Sequence, residues 1–339
     1  MGLFNNALIG IDLGTANTIV TVKGKGIIIR EPSVVTINTE TNQTVAVGNE
    51  AKEMIGRTPG NMMAIRPLRD GVIADFRSTH IMLKYFINKA MKITRSKRPW
   101  VLIGVPSDIT QVEKKAVIQA AEMAGAGRVG IIEEALATAI GAGLPVDEPT
   151  GSMVIDIGGG TTDIAVISLG GLVISTSKRI GGDDFDYSII QHIRNNYNIA
   201  IGETTAEVIK KNLACAIVDD VQEKMDIKGR DLLSGLPRKI TISTQDIYEA
   251  IENPIQTIVD TVKNVLERTP PELASDVMNR GIVLTGGGAL LKSLNTLIHR
   301  ETGILCYVAE NPLDCVAMGT EKILEKGYHD IIFLNSKND

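Results

Sequence analysis

The chain has 339 residues, 44% of them hydrophobic and 22% charged, with a formal net charge of −5. That length outgrows one comfortable core and predicts two domains. The mildly acidic balance excludes a dedicated nucleic-acid binder, and no run reaches the ~18 uninterrupted apolar residues of a membrane span.

Met1 to Ala7 carry no basic stretch and no long apolar core, so no signal peptide is expected and a cytoplasmic location is the default. Ile9-Gly-Ile-Asp-Leu-Gly-Thr15 followed by the apolar run Ile19 to Val22 reads as strand, tight glycine turn, strand, with Asp12 near the bend. Val101 to Val105 is a buried strand. Thr110-x-x-Glu113 is a capping box that opens a helix through Ala124. Gly125-Ala-Gly127-Arg-Val-Gly130 matches G-x-G-x-x-G, but a helix precedes it and the short strand Val129 to Ile132 follows. A dinucleotide fingerprint needs the reverse order, so these glycines read as a helix C-cap turn. Glu133 to Gly143 is a helix of small residues.

Val154-Ile-Asp-Ile-Gly-Gly-Gly160 with Ile164 to Ile167 repeats the first hairpin. Asp183 and Asp184 precede a helix with Phe185, Ile189, Ile190 and Ile193 on one face. Thr204-x-x-Glu207 reads as a capping box opening another. Asp246 starts a long helix to Leu266, with a kink expected at Pro254. Ile282 to Thr285 is a strand that runs into Gly286, Gly287, Gly288 and Ala289, then an apolar helix Leu290 to Ile298. Asp314 to Ile323 is a second small-residue helix. Three cysteines (Cys215, Cys306, Cys315) and four histidines are scattered without metal-ligand spacing, which fits a reduced interior.

The landmarks recur in order. Asp12 and Asp156 are 156 − 12 = 144 residues apart. Each buried strand is followed at equal distance by a small-residue helix, 134 − 105 = 29 and 314 − 285 = 29 residues. The chain therefore reads as two copies of one plan, joined by two close-packed helices, with a hinge between lobes. Residues 31–65 and roughly 181–249 interrupt the plan as insertions.

Two glycine turns facing each other suit a polyphosphate, because they present bare backbone N–H groups. Gly14, Thr15, Ala16 and Asn17 supply one nest; Gly158, Gly159 and Gly160 supply the other. Asp12, and after it Asp156, are placed to hold hydrated Mg²⁺ that bridges to the phosphates. The plain alternative for one such turn is an Asp capping its own backbone; two copies favour the ligand. The third cluster, Gly286 to Ala289, lets backbone approach a flat ring or ribose at a helix N-terminus. No G-x-x-x-x-G-K-[ST] run exists, which excludes P-loop enzymes.

These clusters and linking helices resemble the actin/heat-shock-70/sugar-kinase superfamily. Ile11-Asp-Leu-Gly-Thr-Ala-Asn-Thr18, Glu31-Pro-Ser-Val34, Arg66-Pro-Leu-Arg-Asp-Gly-Val-Ile-Ala-Asp-Phe76, Asp156-Ile-Gly-Gly-Gly-Thr-Thr-Asp163 and Leu284-Thr-Gly-Gly-Gly-Ala-Leu-Leu291 resemble the MreB family of bacterial actins over nearly the whole chain. The resemblance implies an α/β fold of duplicated ribonuclease-H-like domains, two lobes around a nucleotide cleft and four subdomains. Domain I would span 1–145, with a small insertion IB near 31–65, completed by the C-terminal helix near 312–339. Domain II would span 146–311, with insertion IIB near 181–249. It implies an ATPase that binds ATP and ADP with Mg²⁺, polymerises head to tail, singly or in paired strands, and governs cell shape, or helicity and motility in a wall-less cell. Glu134 and Thr161 would position the attacking water, and Glu207 and Lys210 would contact the adenosine. A macrodipole carboxylate remains the alternative for Glu134, as the capping box does for Glu207. Departures from the family are Ala135 for Pro, Asp163 for Glu and Met318 for Arg, which bear on hydrolysis rate.

The resemblance also implies a peripheral site at the inner membrane face. The N-terminus offers only Leu3 and Phe4. Ile93 to Trp100, with Arg95, Lys97 and Arg98, is the better segment, Ile93 and Trp100 inserting while the basic residues meet anionic lipid. The alternative is a solvated turn with Trp100 packed inside. A small-molecule kinase on the same scaffold is the competing function; it needs a base over a second substrate pocket.

Overall fold

The computed structural model describes residues 6–218 and 223–326. Two five-stranded mixed sheets form the centres of two lobes. In the first, β1 (Leu8–Leu13) pairs antiparallel with β2 (Asn17–Val22), and β2 with β3 (Gly26–Pro32). On its other side β1 runs parallel to β4 (Trp100–Val105), which runs parallel to β5 (Arg128–Glu133). In the second, β6 (Ser152–Ile157) pairs antiparallel with β7 (Thr162–Ser168), and β7 with β8 (Gly171–Lys178). Here β6 runs parallel to β9 (Ile282–Thr285) and β9 to β10 (Cys306–Val308). The orders β3-β2-β1-β4-β5 and β8-β7-β6-β9-β10 are the same plan. The duplication expected from the repeat is thus present at the level of topology.

Both central strands are covered on two faces, so they carry continuous apolar runs instead of alternation. Every residue of β6 is buried, whereas edge strand β8 is exposed at Gly171, Val173 and Lys178. Helices α1 (Phe76–Thr94) and α2 (Gln111–Met123) close over the first sheet, with Met82, Phe86 and Val117 in its core. The Thr110–Glu113 capping box forms as expected, and the turn at Gly125 has φ +107 between helix α2 and strand β5.

The lobes exchange helices. Helix α3 (Glu134–Gly141) leaves the first sheet, and its Ala135 and Ala139 pack against Val154, Ala165 and Ile167 of the second. In the second lobe follow α4 (Gly182–Tyr197), α5 (Glu203–Leu213), α6 (Thr244–Arg268) and α7 (Leu294–Thr302). Helix α8 (Cys315–Glu325) then returns, and its Ile323 and Leu324 pack against Leu102, Leu8 and Trp100 of the first sheet. Small residues let α3 and α8 cross backbone to backbone: a Cβ on Gly141 would strike the carbonyl of Cys315, and one on Gly319 the carbonyl of Ala137. On each helix the touching residues are four apart, Ala137 and Gly141, Cys315 and Gly319, and so share a face.

The two interruptions of the repeat build small sheets. Val35–Asn38, Thr44–Val47 and Met62–Ile65 form one, beside the short helix Asn49–Glu53. Ile199–Ala200, Lys224–Asp231 and Pro237–Ser243 form the other.

Several helix starts differ from the sequence reading. Asp183 and Asp184 lie in the first turn of α4 instead of preceding it, and Asp184 accepts the N–H of its N-cap Gly181 at 2.8 Å. Helix α5 is capped by Gly202, so Thr204 is inside the helix and no Thr204–Glu207 box forms. Ser243 caps α6 in a box with Asp246, and the helix continues through Pro254. The third glycine cluster opens a 3₁₀ turn, Gly287–Leu290, and α7 starts only at Leu294. Leu291 is extended and Ser293 left-handed (φ 64), which breaks any continuous helix from Leu290.

Gly319→Val places a branched side chain against the Ala137 carbonyl. It should lower stability by at least ~2 kcal/mol, measured by chemical denaturation, while Met318→Leu on the same helix should leave the midpoint nearly unchanged.

Candidate functional site

The two hairpin turns meet at the floor of the cleft between the lobes. A Cβ built on Gly159 would stand 2.8 Å from the Ala16 methyl, and one on Gly160 would stand 2.9 Å from Thr15 Oγ1 and 3.0 Å from the Asp70 amide. Only glycine permits this approach. The turns are also fixed through their carbonyls. Ser33 Oγ donates to Gly14 O at 2.6 Å and Ser33 N to Ala16 O at 3.0 Å. Gly182 N donates to Gly158 O at 3.0 Å and Asp183 N to Gly159 O at 2.8 Å. A loose carbonyl in the cleft would repel an anion; these four are occupied by the protein.

The cleft holds a cavity of about 640 Å³, within the range of ligand sites. Its wall includes Asp12, Gly14, Thr15, Ala16, Asn17, Glu134, Asp156, Gly158, Gly159, Thr161, Glu207, Lys210, Gly286, Gly287 and Gly288. Two residues singled out from the sequence stand apart. Gly160 serves the contact between turns described above, and Ala289 is buried in the apolar core of the second lobe. Gly286 (φ +76) and Gly288 are required by packing, since Cβ atoms there would strike the end of β6 at Asp156 and Ile157. Gly287 is the member of the cluster with room in front of it, its nearest neighbour being Leu313 Cδ2 at 3.4 Å.

Carboxylates gather at the strand ends. Asp12 is the last residue but one of β1, beside the first turn, and Asp156 and Asp163 stand opposite each other on β6 and β7. Glu134 opens α3. Burial, then Asp156 and Asp314, push the Asp12 carboxyl up to about 8. Burial, then Asp163, Asp12 and Asp156, hold Glu134 well above the usual carboxylate range. Burial and Asp156 lift Asp163 to about 7. Burial raises Asp156 too, opposed by hydrogen bonds from Thr138, whose Oγ1 donates at 2.8 Å, and Thr285. Among the described residues no basic side chain offsets any of these four. Such a cluster favours a divalent cation. No three His, Cys, Asp or Glu side chains among the described residues are grouped to chelate one. The donor set therefore fits a hydrated ion held by Asp12 and Asp156 and completed by a ligand's own oxygens.

Lys210 and Glu207 lie on the wall but are already engaged. Lys210 Nζ binds Gly182 O at 2.7 Å and Asp186 at 2.8 Å. Glu207 pairs with Lys211 at 2.7 Å on its own helix and with Lys52 at 3.3 Å. The sequence reading missed Thr138, Lys52 and Arg66, and noted Asp163 only as a departure that bears on hydrolysis rate. Thr138 follows Glu134 by one helical turn on the same face, a signal that was available. Lys52 and Arg66 carry no local signal.

Trp100 does not protrude. It begins β4, packs with Ile323 and Leu324, and lies under the Arg128 guanidinium at 4.5 Å. Ile93 is 43% exposed, and Arg95, Lys97 and Arg98 are exposed around it. Leu3 and Phe4 fall outside the described residues. No helix among the described residues is long and apolar enough to cross a membrane.

Comparison with known proteins places this geometry. Residues 6–331 match the MreB/Mbl protein family. The chain is 51% identical over 317 residues to the cell shape-determining protein Mbl of Bacillus subtilis (strain 168), covering 94% of this chain and 95% of that protein. It is 53% identical over 329 residues to the cell shape-determining protein MreB of Escherichia coli (strain K12), covering 96% and 94%. The crystal structure of MreB 5 of Spiroplasma citri bound to AMPPNP superposes with a TM-score of 0.91 at 39% identity, covering 96% of this chain and 98% of that one. The ADP-bound form of the same protein gives 0.90, covering 99% and 100%. A chain of the MamK double helical filament shares the fold, with a TM-score of 0.80 at 21% identity and coverage of 95% and 99%.

The raised carboxyls make the protein without metal and nucleotide sensitive to pH. Asp12 holds a proton when folded that it loses near 3.8 when unfolded, so its contribution is complete below that value and is lost as pH rises through about 8. Melting midpoints should therefore fall across that window. Asp12→Asn should flatten the fall and raise the midpoint at pH 8 by ~2 °C or more, read by differential scanning calorimetry.

Proposed function

The chain belongs to the MreB/Mbl family, and on that premise we propose that it is an actin-like ATPase that polymerises head to tail and takes part in determining cell shape. The observation that carries the nucleotide part is the contact of the glycine turn at Gly159 with Ala16 of the other lobe. One triphosphate can reach amides from both turns only where they touch. The AMPPNP and ADP named for the Spiroplasma citri structures support the ligand class, and the cell-shape names of the relatives support the role.

The residues then divide the work. The amides of Gly14 to Asn17 and of Gly159 and Thr161 bind phosphate oxygens; the Gly158 N–H is held by Thr161 O within the turn. Asp12 and Asp156 would hold hydrated Mg²⁺, which would supply positive charge to offset that developing on the phosphates. Glu134 orients a water towards the terminal phosphate and accepts its proton as the water adds and ADP leaves. Burial and the neighbouring carboxylates raise its proton affinity above that of an ordinary carboxylate. The Thr161 hydroxyl helps place the same water. Helix α5, through Glu207 and Lys210, and Gly287 border the nucleoside end.

Filament contacts are heterologous, so growth is open-ended. We assign membrane attachment, at the inner face of the cell membrane, to the end of α1 with Ile93 and the turn after it with Arg95, Lys97 and Arg98, Ile93 being the apolar contact. Trp100 is committed to the core and plays no part in it.

Glu134→Ala should keep ATP binding and slow phosphate release by about 100-fold, measured as phosphate in single turnover; undiminished turnover would refute the base assignment. Gly159→Val should abolish ATP binding with the fold intact by circular dichroism, and should also abolish ATP-dependent pelleting. Ile93→Asp should lower sedimentation with anionic vesicles without changing filament assembly.

A further inference from the structure

The mouth of the cleft is spanned by two ion pairs that neither the catalytic nor the phosphate-binding assignment uses. Glu203 and Glu207 stand one turn apart on α5 and so share a face. Across the cleft, Arg66 meets Glu203 at 3.4 Å and Lys52 meets Glu207 at 3.3 Å. The two cations come from different parts of the first lobe's small sheet. Lys52 lies in the short helix Asn49–Glu53, and Arg66 directly follows the strand Met62–Ile65. Lys52, Arg66 and Glu207 all border the cavity that holds the glycine turns.

We propose that Lys52 and Arg66 are positioning residues that hold the cleft shut over bound nucleotide and thereby set how long it stays. The inference rests on the nucleotide reading of the cavity and adds to it the control of exchange. Its physical basis is leverage. The lobes are joined where α3 crosses α8, through the backbone contacts of Gly141 and Gly319. Lys52, Arg66, Glu203 and Glu207 all lie outside that crossing, so a rotation about it would draw the paired side chains apart. Ion pairs at the mouth are lost in such an opening, whereas the packed crossing is not. Glu207 has a second cation, Lys211 at 2.7 Å on its own helix. When Lys52 withdraws, Glu207 keeps a partner, and Glu203, released by Arg66, is left to water, its side chain being 60% exposed. The pairs are partly exposed, which limits each to a modest effect and makes it sensitive to salt. A modest latch suits a site that must release its product.

The test is the dissociation rate of a fluorescent ATP analogue from the full chain with Mg²⁺, with melting temperature recorded alongside. Lys52→Glu and Arg66→Glu should each speed release about 2- to 5-fold and leave the melting temperature within error. Arg66→Glu combined with Glu203→Arg should restore the slow rate, because the pair is rebuilt with its charges exchanged. Raising ionic strength should speed release from the wild type and much less from a Lys52→Glu, Arg66→Glu double variant. An unchanged rate in the single variants overturns the latch while leaving the nucleotide site standing. So does a failure of the charge exchange to rescue, which would assign Arg66 to direct contact with the nucleotide. Absence of analogue binding to the wild type would overturn the nucleotide reading, and the latch with it.

Discussion

The structure depends on a contact between two turns of backbone that belong to different lobes. Gly159 lies against Ala16, and Gly160 against Thr15 and the Asp70 amide. Neither sheet can shift relative to the other without opening this contact. Its closeness is what brings two sets of peptide N–H groups to one small region. The crossing of α3 and α8 is the matching constraint at the other end of the interface, and it too is a place where any side chain larger than hydrogen would collide with backbone. Besides the turns, the lobes are joined by this tight backbone packing and by the charge pairs of Lys52 and Arg66.

The charge distribution within the cleft follows from the same duplication. Each copy of the plan brings an aspartate to the end of its central strand, Asp12 and Asp156, so the two acids are forced together when the turns meet. Glu134 and Asp163 add to them. Thr138 and Thr285 serve Asp156, and among the described residues no cation offsets the group. Burial and mutual repulsion raise the proton affinity of these carboxyls and make the group attractive to a cation. The carbonyls of both turns are bound by Ser33, Gly182 and Asp183, which removes the competing negative ends of the peptide dipoles.

Where the sequence reading erred, the cause was tertiary. Thr204-x-x-Glu207 has the spacing of a capping box, yet Gly202 starts the helix and Glu207 is drawn to Lys52 and Lys211. Gly286 to Gly288 resemble a helix N-terminus, yet two of the three glycines exist because the chain must press against the end of β6. Trp100 sits beside basic residues like an interfacial anchor, yet α8 returns from the other lobe and covers it. A local pattern records what a segment can do alone; the glycine cluster and Trp100 were overridden by segments far away in sequence, the Thr204 box by the nearby cap Gly202.

The sequence alone determined the duplication, the two glycine hairpins, their aspartates and the small-residue helices. These were legible because they are local: spacing, strand-like runs and glycine turns are properties of a few neighbouring residues, and a repeat at 144 residues exposes itself by comparison within the chain. The tertiary structure decided which acids meet, which of the glycines face the cavity, and which cations cross its mouth. Lys52 and Arg66 are separated from Glu207 and Glu203 by 155 and 137 residues. No pattern within a window of sequence can pair charges that only the closing of two lobes brings to within 3.4 Å.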